Sequence, residues 1–477
     1  MIKEKQKIIE LIDEKLHKLK SASDKIWKYA EVRFDTKKSA GLFIEILNEE
    51  GFSVEKEPGG IINSFIASFG HGKPVIGILA EYDALGSMNQ VADCEYKKSS
   101  SENTPGHGCG HNLLGTGSLG AATALKDYME IHHLNGTIKL FGCPAEESGY
   151  GKAYMAKAGL FSELDAALSW HPADISSGWA EGTLAVLQAY FKFKGISAHA
   201  ASAPFMGRSA LDAAEIMNIG TNYLREHVPD FTRIHYAYID AGGESANVVP
   251  ASSKLHYFIR APKQETVENI YKRLCKIAQG ASLITETEVE ISVDSACMNY
   301  IPNMVLSRLM YDNFKEISPI DFTEKDYEYA KRYHKGLNEN QISSLRDRLK
   351  AAFKDKPEDW ISEMLESPLN PYLPEMADGG LGMMSTDVGD VSWIVPTGQV
   401  NIACEPHGTT PHSWQWVANG LSGIAHKGIE YSAKVIAMTG LDILMHPEII
   451  EKALEEHHKN LSGKAYHSLI PNGKLPE

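Results

Sequence analysis

Three short apolar runs in the first part of the chain each lead straight into side chains that can bind a metal. Val75-Ile76-Gly77-Ile78-Leu79-Ala80 runs into Glu81 and Asp83, and Ile138-Lys139-Leu140-Phe141-Gly142-Cys143 into Glu146 and Glu147. Ala166-Ala167-Leu168-Ser169-Trp170 runs into His171. Runs of this length, bounded by turn residues, predict strands, and the helical patterns between them predict a helix-flanked sheet. Open α/β sheets place their sites just beyond the carboxyl ends of the strands, which is where these residues fall.

A chain of 477 residues exceeds one compact core, so two or three domains are expected. From about Leu187 the pattern changes. Segments 188–195 and 253–260 alternate like strands, 286–293 reads as another, and 210–225 and 265–279 are helical. A βαββαβ-like order of this kind predicts a small two-layer α+β unit set into the larger domain. A charged, helical stretch over 321–366 reads as an insertion or a lid. Strand-like 400–404 and helical 420–439 return to the first domain. The expected division is therefore a catalytic domain over 1–186 and 299–477, with the helical insertion near 321–366 in its second part and an inserted unit over 187–298. The fold class is α/β, a helix-flanked mixed sheet with an inserted two-layer α+β domain. The small-residue helix after His111 reads as close packing against the sheet.

The net charge of −15 argues against a nucleic-acid partner, whose phosphates need a basic face. The charged start, Met1-Ile2-Lys3-Glu4-Lys5, leads into an amphipathic pattern (Ile8, Ile9, Ile12, Leu16, Leu19) and not into a signal-peptide core. No run reaches the ~18 apolar residues of a membrane span, so a cytoplasmic protein with no membrane partner is expected. Cys94, Cys109, Cys143, Cys275, Cys297 and Cys404 show no disulfide rhythm and read as mostly free thiols.

The densest chemical feature is Pro105-Gly106-His107-Gly108-Cys109-Gly110-His111-Asn112. A thiolate and an imidazole two residues apart, in glycine-rich backbone, can converge on one metal, although alone they read more readily as a tight glycine turn with incidental side chains. In the adjacent pair Glu146-Glu147 one carboxylate can coordinate while the other accepts a proton from water. His171, before Pro172, and His412, in Thr410-Pro411-His412-Ser413-Trp414, are further ligand candidates, with His407 competing for the last place. Mixed S, N and O donors suit zinc, manganese or cobalt and not calcium. Arg260 ends an alternating strand, where its guanidinium fork could take a carboxylate.

Together with these residues, Ala80-Glu81-Tyr82-Asp83-Ala84-Leu85, Pro144-Ala145-Glu146-Glu147 and Trp170-His171-Pro172 form a recognisable series. It continues with Gly195-Ile196-Ser197-Ala198-His199-Ala200, Asn247-Val248-Val249-Pro250, 385–393 and His412-Ser413-Trp414-Gln415. In this order, over nearly the whole chain, the series resembles the di-metal aminoacylase/carboxypeptidase-type amidohydrolases, a metallopeptidase family. Within it the likeness is to the branch of the aminobenzoyl-glutamate hydrolase B subunit and its dipeptidase relatives. The resemblance implies that Cys109, His111, Glu147, His171 and His412 bind two divalent metal ions per subunit, zinc or manganese first. It implies Glu146 as general base, Asp83 as an orienting carboxylate, and Asn247 and Arg260 as holders of a substrate carboxylate. The inserted unit would be a dimerisation or lid domain whose His199 reaches a partner's site and steadies the oxyanion; the partner would be a second copy or a related subunit. The chain departs from the pattern at Asn112, where many relatives carry Asp, and at Glu81, where the wider family often has His.

The expected activity is hydrolysis, through a metal-bound water, of the amide bond in an N-acyl or aryl-amido amino acid. Aminobenzoyl-glutamate, giving aminobenzoate and glutamate, is the first choice of small-molecule substrate. A dipeptidase acting on dipeptides with a basic or β-amino residue is the alternative within the family. Two other classes compete. A cysteine hydrolase using Cys109 leaves Glu146, Glu147 and His412 idle; a non-catalytic metal or small-ligand binder gives Glu146 no task.

Overall fold

The computed structural model describes residues 3–474 and 476, so the reading of Met1 and Ile2 lies outside the described residues. The first helix, Lys3–Tyr29, buries Ile8, Ile12, Leu19 and Ile26. Their spacing of four and seven residues puts them on one stripe facing the core.

Among the described residues a six-stranded sheet runs in the order Ser53–Lys56, Phe65–His71, Gly136–Cys143, Val75–Glu81, Ala166–Leu168, Thr397–Gly398. The last four strands are mutually parallel, and the first two join antiparallel. The sheet is thus mixed and helix-flanked, as expected. Every residue of Val75–Glu81 is buried, which an uninterrupted apolar run in a central strand permits. Helix His111–His132 lies so close to this strand that a Cβ at Gly115 would stand 2.4 Å from the Glu81 carbonyl oxygen. The small residues of that helix are therefore a packing requirement. A three-stranded sheet joins His171–Ala173 to Val400–Ala403 in parallel and to Ser177–Gly178 through it, bringing the tail beside His171.

The second unit is an antiparallel sheet in the order Glu288–Cys297, Ala185–Lys194, Ser252–Ala261, Arg233–Asp240. Phe191, Phe193, Leu255, Tyr257 and Ile259 pack with Ala213, Met217, Ile270 and Leu274 of helices Ala210–Leu224 and Gln264–Thr285. Strand Arg233–Asp240, at the sheet edge, was not among the strands read from sequence. Its Tyr236, Tyr238 and Ile239 are all exposed, so it carries no alternation of buried and exposed residues to read. The 321–366 stretch forms helices Glu324–His334, Glu339–Ala352 and Glu358–Glu366, the last two around a small core of Leu345, Leu349, Phe353, Ile361 and Leu365 that Ile175 enters. Among the described residues no helix is long and apolar enough to cross a membrane.

Asp390, on the short helix Val388–Ser392, joins the two units: it accepts the Met298 N–H at 2.9 Å and the Tyr466 hydroxyl at 2.8 Å. Burial pushes its carboxyl from the ordinary 3.8 up to about 7. The folded chain therefore holds this proton more tightly than the unfolded chain, and ionisation opposes folding. Its contribution to stability is full below pH 3.8 and is lost as pH rises through about 7. Denaturant unfolding across that window is expected to show a steeper decline in the wild type than in Asp390→Asn.

Candidate functional site

Two left-handed backbone positions shape the site. Gly110, at φ 74°, caps helix His111–His132; a Cβ there would stand 3.1 Å from Pro172 and from the indole nitrogen of Trp416. Glycine takes this conformation without strain and lets the three segments meet without displacement. Ala145, at φ 62°, turns the chain after strand Gly136–Cys143 and immediately before Glu146, a conformation that costs a non-glycine residue roughly 1–3 kcal/mol.

Within this frame the donor atoms converge. Cys109, His111 and His171 form one group whose ligand atoms lie within 4.8 Å of one another. Cys109, Glu147 and His412 form a second, and Glu81, His111 and Glu146 a third. The ring orientations are set from behind. His111 Nδ1 donates to Asp83 Oδ1 at 3.0 Å, and His171 Nδ1 donates to the Pro172 carbonyl at 2.8 Å, which turns His111 Nε2 toward Glu81 and His171 Nε2 toward Cys109. Asp83 Oδ2 accepts the Glu147 N–H at 3.0 Å, and His412 N–H donates to the Gly108 carbonyl at 2.9 Å. Partners of this kind orient metal ligands in known sites.

The groups fit a divalent metal by two observations. His111 Nε2 and Glu81 Oε2 stand 3.2 Å apart, yet neither these two buried atoms nor Glu147 Oε1 makes a hydrogen bond, a cost of about 1–3 kcal/mol each that a cation among them would relieve. Donors on one tetrahedral zinc stand roughly 3.3–3.7 Å apart, given bonds of ~2.0–2.3 Å. Here Cys109 Sγ is 3.5 Å from His171 Nε2, and His412 Nε2 is 3.4 Å from Glu147 Oε1.

The electrostatics point the same way. Burial and the neighbouring charges of Glu81, Glu147 and Asp387 push the Glu146 carboxyl well above its ordinary value. Burial also opposes ionisation of Glu147, but His412 and His111 outweigh it and hold that carboxyl down at about 2. Burial would lower His111, yet Glu81 and Asp83 raise it well above the usual imidazole range. Two adjacent carboxylates are thus held apart in proton affinity, a common arrangement where one binds and the other moves a proton.

Other predicted residues lie elsewhere. His407 is buried with Nδ1 facing the Ser367 carbonyl and its ring stacked on His334, away from the donor groups. His107 faces the Ile26 carbonyl at 3.1 Å and ties the motif to the first helix. His199 and Asn247 are neighbours on an exposed loop of the second unit, joined by the His199–Val248 bridge. His199 Nδ1 accepts the N–H groups of Ala201 and Ser202, a local capping contact. Arg260 donates to Ser385 Oγ at 3.0 Å and shares with Glu146 an electrostatic influence on Tyr150 and Cys297.

Sequence reasoning did not single out Lys152 and Asp387. Lys152 is fully buried between Glu81 Oε1 at 2.7 Å and Asp387 Oδ1 at 2.6 Å. Glu81, at the end of a buried apolar strand, carried a usable signal; Lys152, one residue into a helix, carried none. Since Asp83 alone fixes both the His111 ring and the Glu147 backbone, Asp83→Asn is expected to weaken zinc binding roughly 10–100-fold, read by titration calorimetry on the metal-free chain.

The sequence model of peptidase family M20/M25/M40 matches residues 77–370. The chain is 41% identical to the B subunit of the p-aminobenzoyl-glutamate hydrolase of Escherichia coli over 95% of each chain. It is 26% identical to the Xaa-Arg dipeptidase of Mus musculus over 95% of this chain and 91% of that one. The crystal structure of an aminobenzoyl-glutamate utilization protein from Klebsiella pneumoniae superimposes with a TM-score of 0.58 at 16% identity, covering 90% of this chain and 97% of that one. A dinuclear metal binding M20 peptidase of Bacillus subtilis gives 0.51 at 16% identity, covering 88% and 98%. With the family model matching more than half of its length, the chain belongs to peptidase family M20/M25/M40 and is a metal-dependent hydrolase.

Proposed function

We propose that this chain hydrolyses the amide bond of an N-acyl or aryl-amido amino acid, p-aminobenzoyl-glutamate first, at a centre of two divalent cations, zinc or manganese. The observation that carries the reading is the pair of donor groups sharing Cys109, with the Glu146 carboxyl in the adjoining group. The Escherichia coli relative, named for p-aminobenzoyl-glutamate, supports the substrate.

Cys109, His111, Glu147, His171 and His412 would hold the cations, with Asp83 orienting them. Bound divalent cations supply Lewis acidity, which lowers the pKa of water from 15.7 to roughly 7. Glu146, whose burial strengthens its hold on a proton, takes the proton from the attacking water and delivers it to the leaving nitrogen as the C–N bond breaks. Arg260 and Asn247 would fix the substrate's carboxylate.

The unit over 187–298 is the lid and dimerisation domain in this reading, flanked by the catalytic parts 1–186 and 299–477. His199, exposed and without a partner from the donor groups, would serve a neighbouring protomer's site by donating to the oxyanion, an interaction typically worth ~3 kcal/mol. Relatives named as two different subunits of one hydrolase make either a second copy or a related subunit a candidate partner. A reducing, cytoplasmic setting would keep the free thiol of Cys109 available.

The test is p-aminobenzoate release from p-aminobenzoyl-glutamate by the zinc- or manganese-loaded chain, beside a panel of Xaa-Arg dipeptides. Glu146→Gln is expected to lower kcat by roughly 10²–10⁴ with metal content unchanged. Turnover that survives complete chelation removes the metal mechanism. Cleavage of the dipeptides alone transfers the activity to the dipeptidase class.

A further inference from the structure

Each of the three helices over 324–366 sits against a segment that leads to a donor residue of the site. Helix Glu324–His334 donates from Tyr329 to Asp93 Oδ1 at 2.8 Å, upstream of the Cys109 loop, and sets the Tyr333 ring 6.5 Å from that of Trp414, two residues past His412. His334 Nδ1 faces the His407 carbonyl at 3.1 Å, while its Nε2 faces that of Leu365, at the end of helix Glu358–Glu366, at 2.9 Å.

The strongest contact comes from helix Glu339–Ala352. The Arg348 fork binds both oxygens of Asp174, at 2.6 and 2.7 Å. Asp174 is 4% exposed and directly follows strand His171–Ala173; its Oδ2 also accepts the Gly408 N–H at 2.9 Å. One buried carboxylate thus joins the end of the His171 strand to the start of the turn that carries His412, and one guanidinium from the inserted helices fixes that carboxylate's plane.

We infer that the helices over 324–366 are a brace for the metal centre and not a lid over it, with Arg348 as the positioning residue. Acting through Asp174, Arg348 sets the separation of His171 and His412. This rests on the reading of those residues as metal ligands. A planar fork satisfying two oxygens defines orientation as well as charge, which a lysine ammonium does not. Arg348→Lys therefore keeps the charge opposite Asp174 and loses the alignment, whereas Arg348→Ala loses both.

The test titrates the metal-free chain with Co²⁺ alone. It follows the cobalt–thiolate absorption of Cys109 and, separately, the thermal unfolding midpoint without metal. Arg348→Lys is expected to unfold near the wild-type midpoint but to bind Co²⁺ about tenfold more weakly, and Arg348→Ala to bind more weakly still and to melt lower. Wild-type Co²⁺ affinity in Arg348→Lys overturns the inference whatever the alanine variant does, because charge alone then suffices. Should Arg348→Ala not fold, the lysine variant decides by itself. A wild-type chain that shows no cobalt–thiolate absorption overturns the metal reading itself, and this inference falls with it.

Discussion

Asp83 holds two donors of the site with one carboxylate. Its Oδ1 takes the proton of His111 Nδ1 and so aims Nε2 inward, while its Oδ2 takes the backbone N–H of Glu147. The first helix of the motif and the loop after strand Gly136–Cys143 are thereby referenced to the end of strand Val75–Glu81. Asp83 is 1% exposed, so these bonds form in a medium that strengthens them and penalises any alternative arrangement.

The charge balance around that carboxylate explains the rest of the site. Glu81, Asp83, Glu146 and Asp387 are buried close together with Glu147, and Lys152 answers only Glu81 and Asp387 directly. Burying so much negative charge costs several kcal/mol per ion unless it is compensated. Lys152 and two divalent cations on the Cys109 side would together supply the compensation. The fully buried Lys152 shows how this chain accommodates the Glu81 carboxylate.

Much of the architecture was legible because local pattern and final environment agree. The apolar runs before Glu81 and Glu146 became central strands, and the small-residue stretch after His111 became a helix pressed against the sheet. Choosing between His407 and His412 was beyond local pattern, since the choice depends on which imidazole a turn delivers beside Glu147. Lys152 and Asp387 lie 235 residues apart, and neither has neighbours that hint at the other. Asp174 and Arg348 pair across 174 residues, and a lone Arg on a charged helix reads as solvated until the fold supplies its carboxylate. The edge strand Arg233–Asp240 was missed for a different reason: its exposed tyrosines follow the needs of an open edge and not those of a core.

The site is assembled from widely separated stretches of the chain. His412 arrives with a turn whose N–H reaches the Gly108 carbonyl, and helix Gly423–Met445, which follows, shares a core with helix His111–His132. During synthesis, Cys109, His111, Glu147 and His171 leave the ribosome long before that turn and helix exist. A nascent or truncated chain therefore holds an incomplete donor set. In the reading proposed above, hydrolytic competence waits for the turn that carries His412, so the order of translation itself guards against a half-built enzyme.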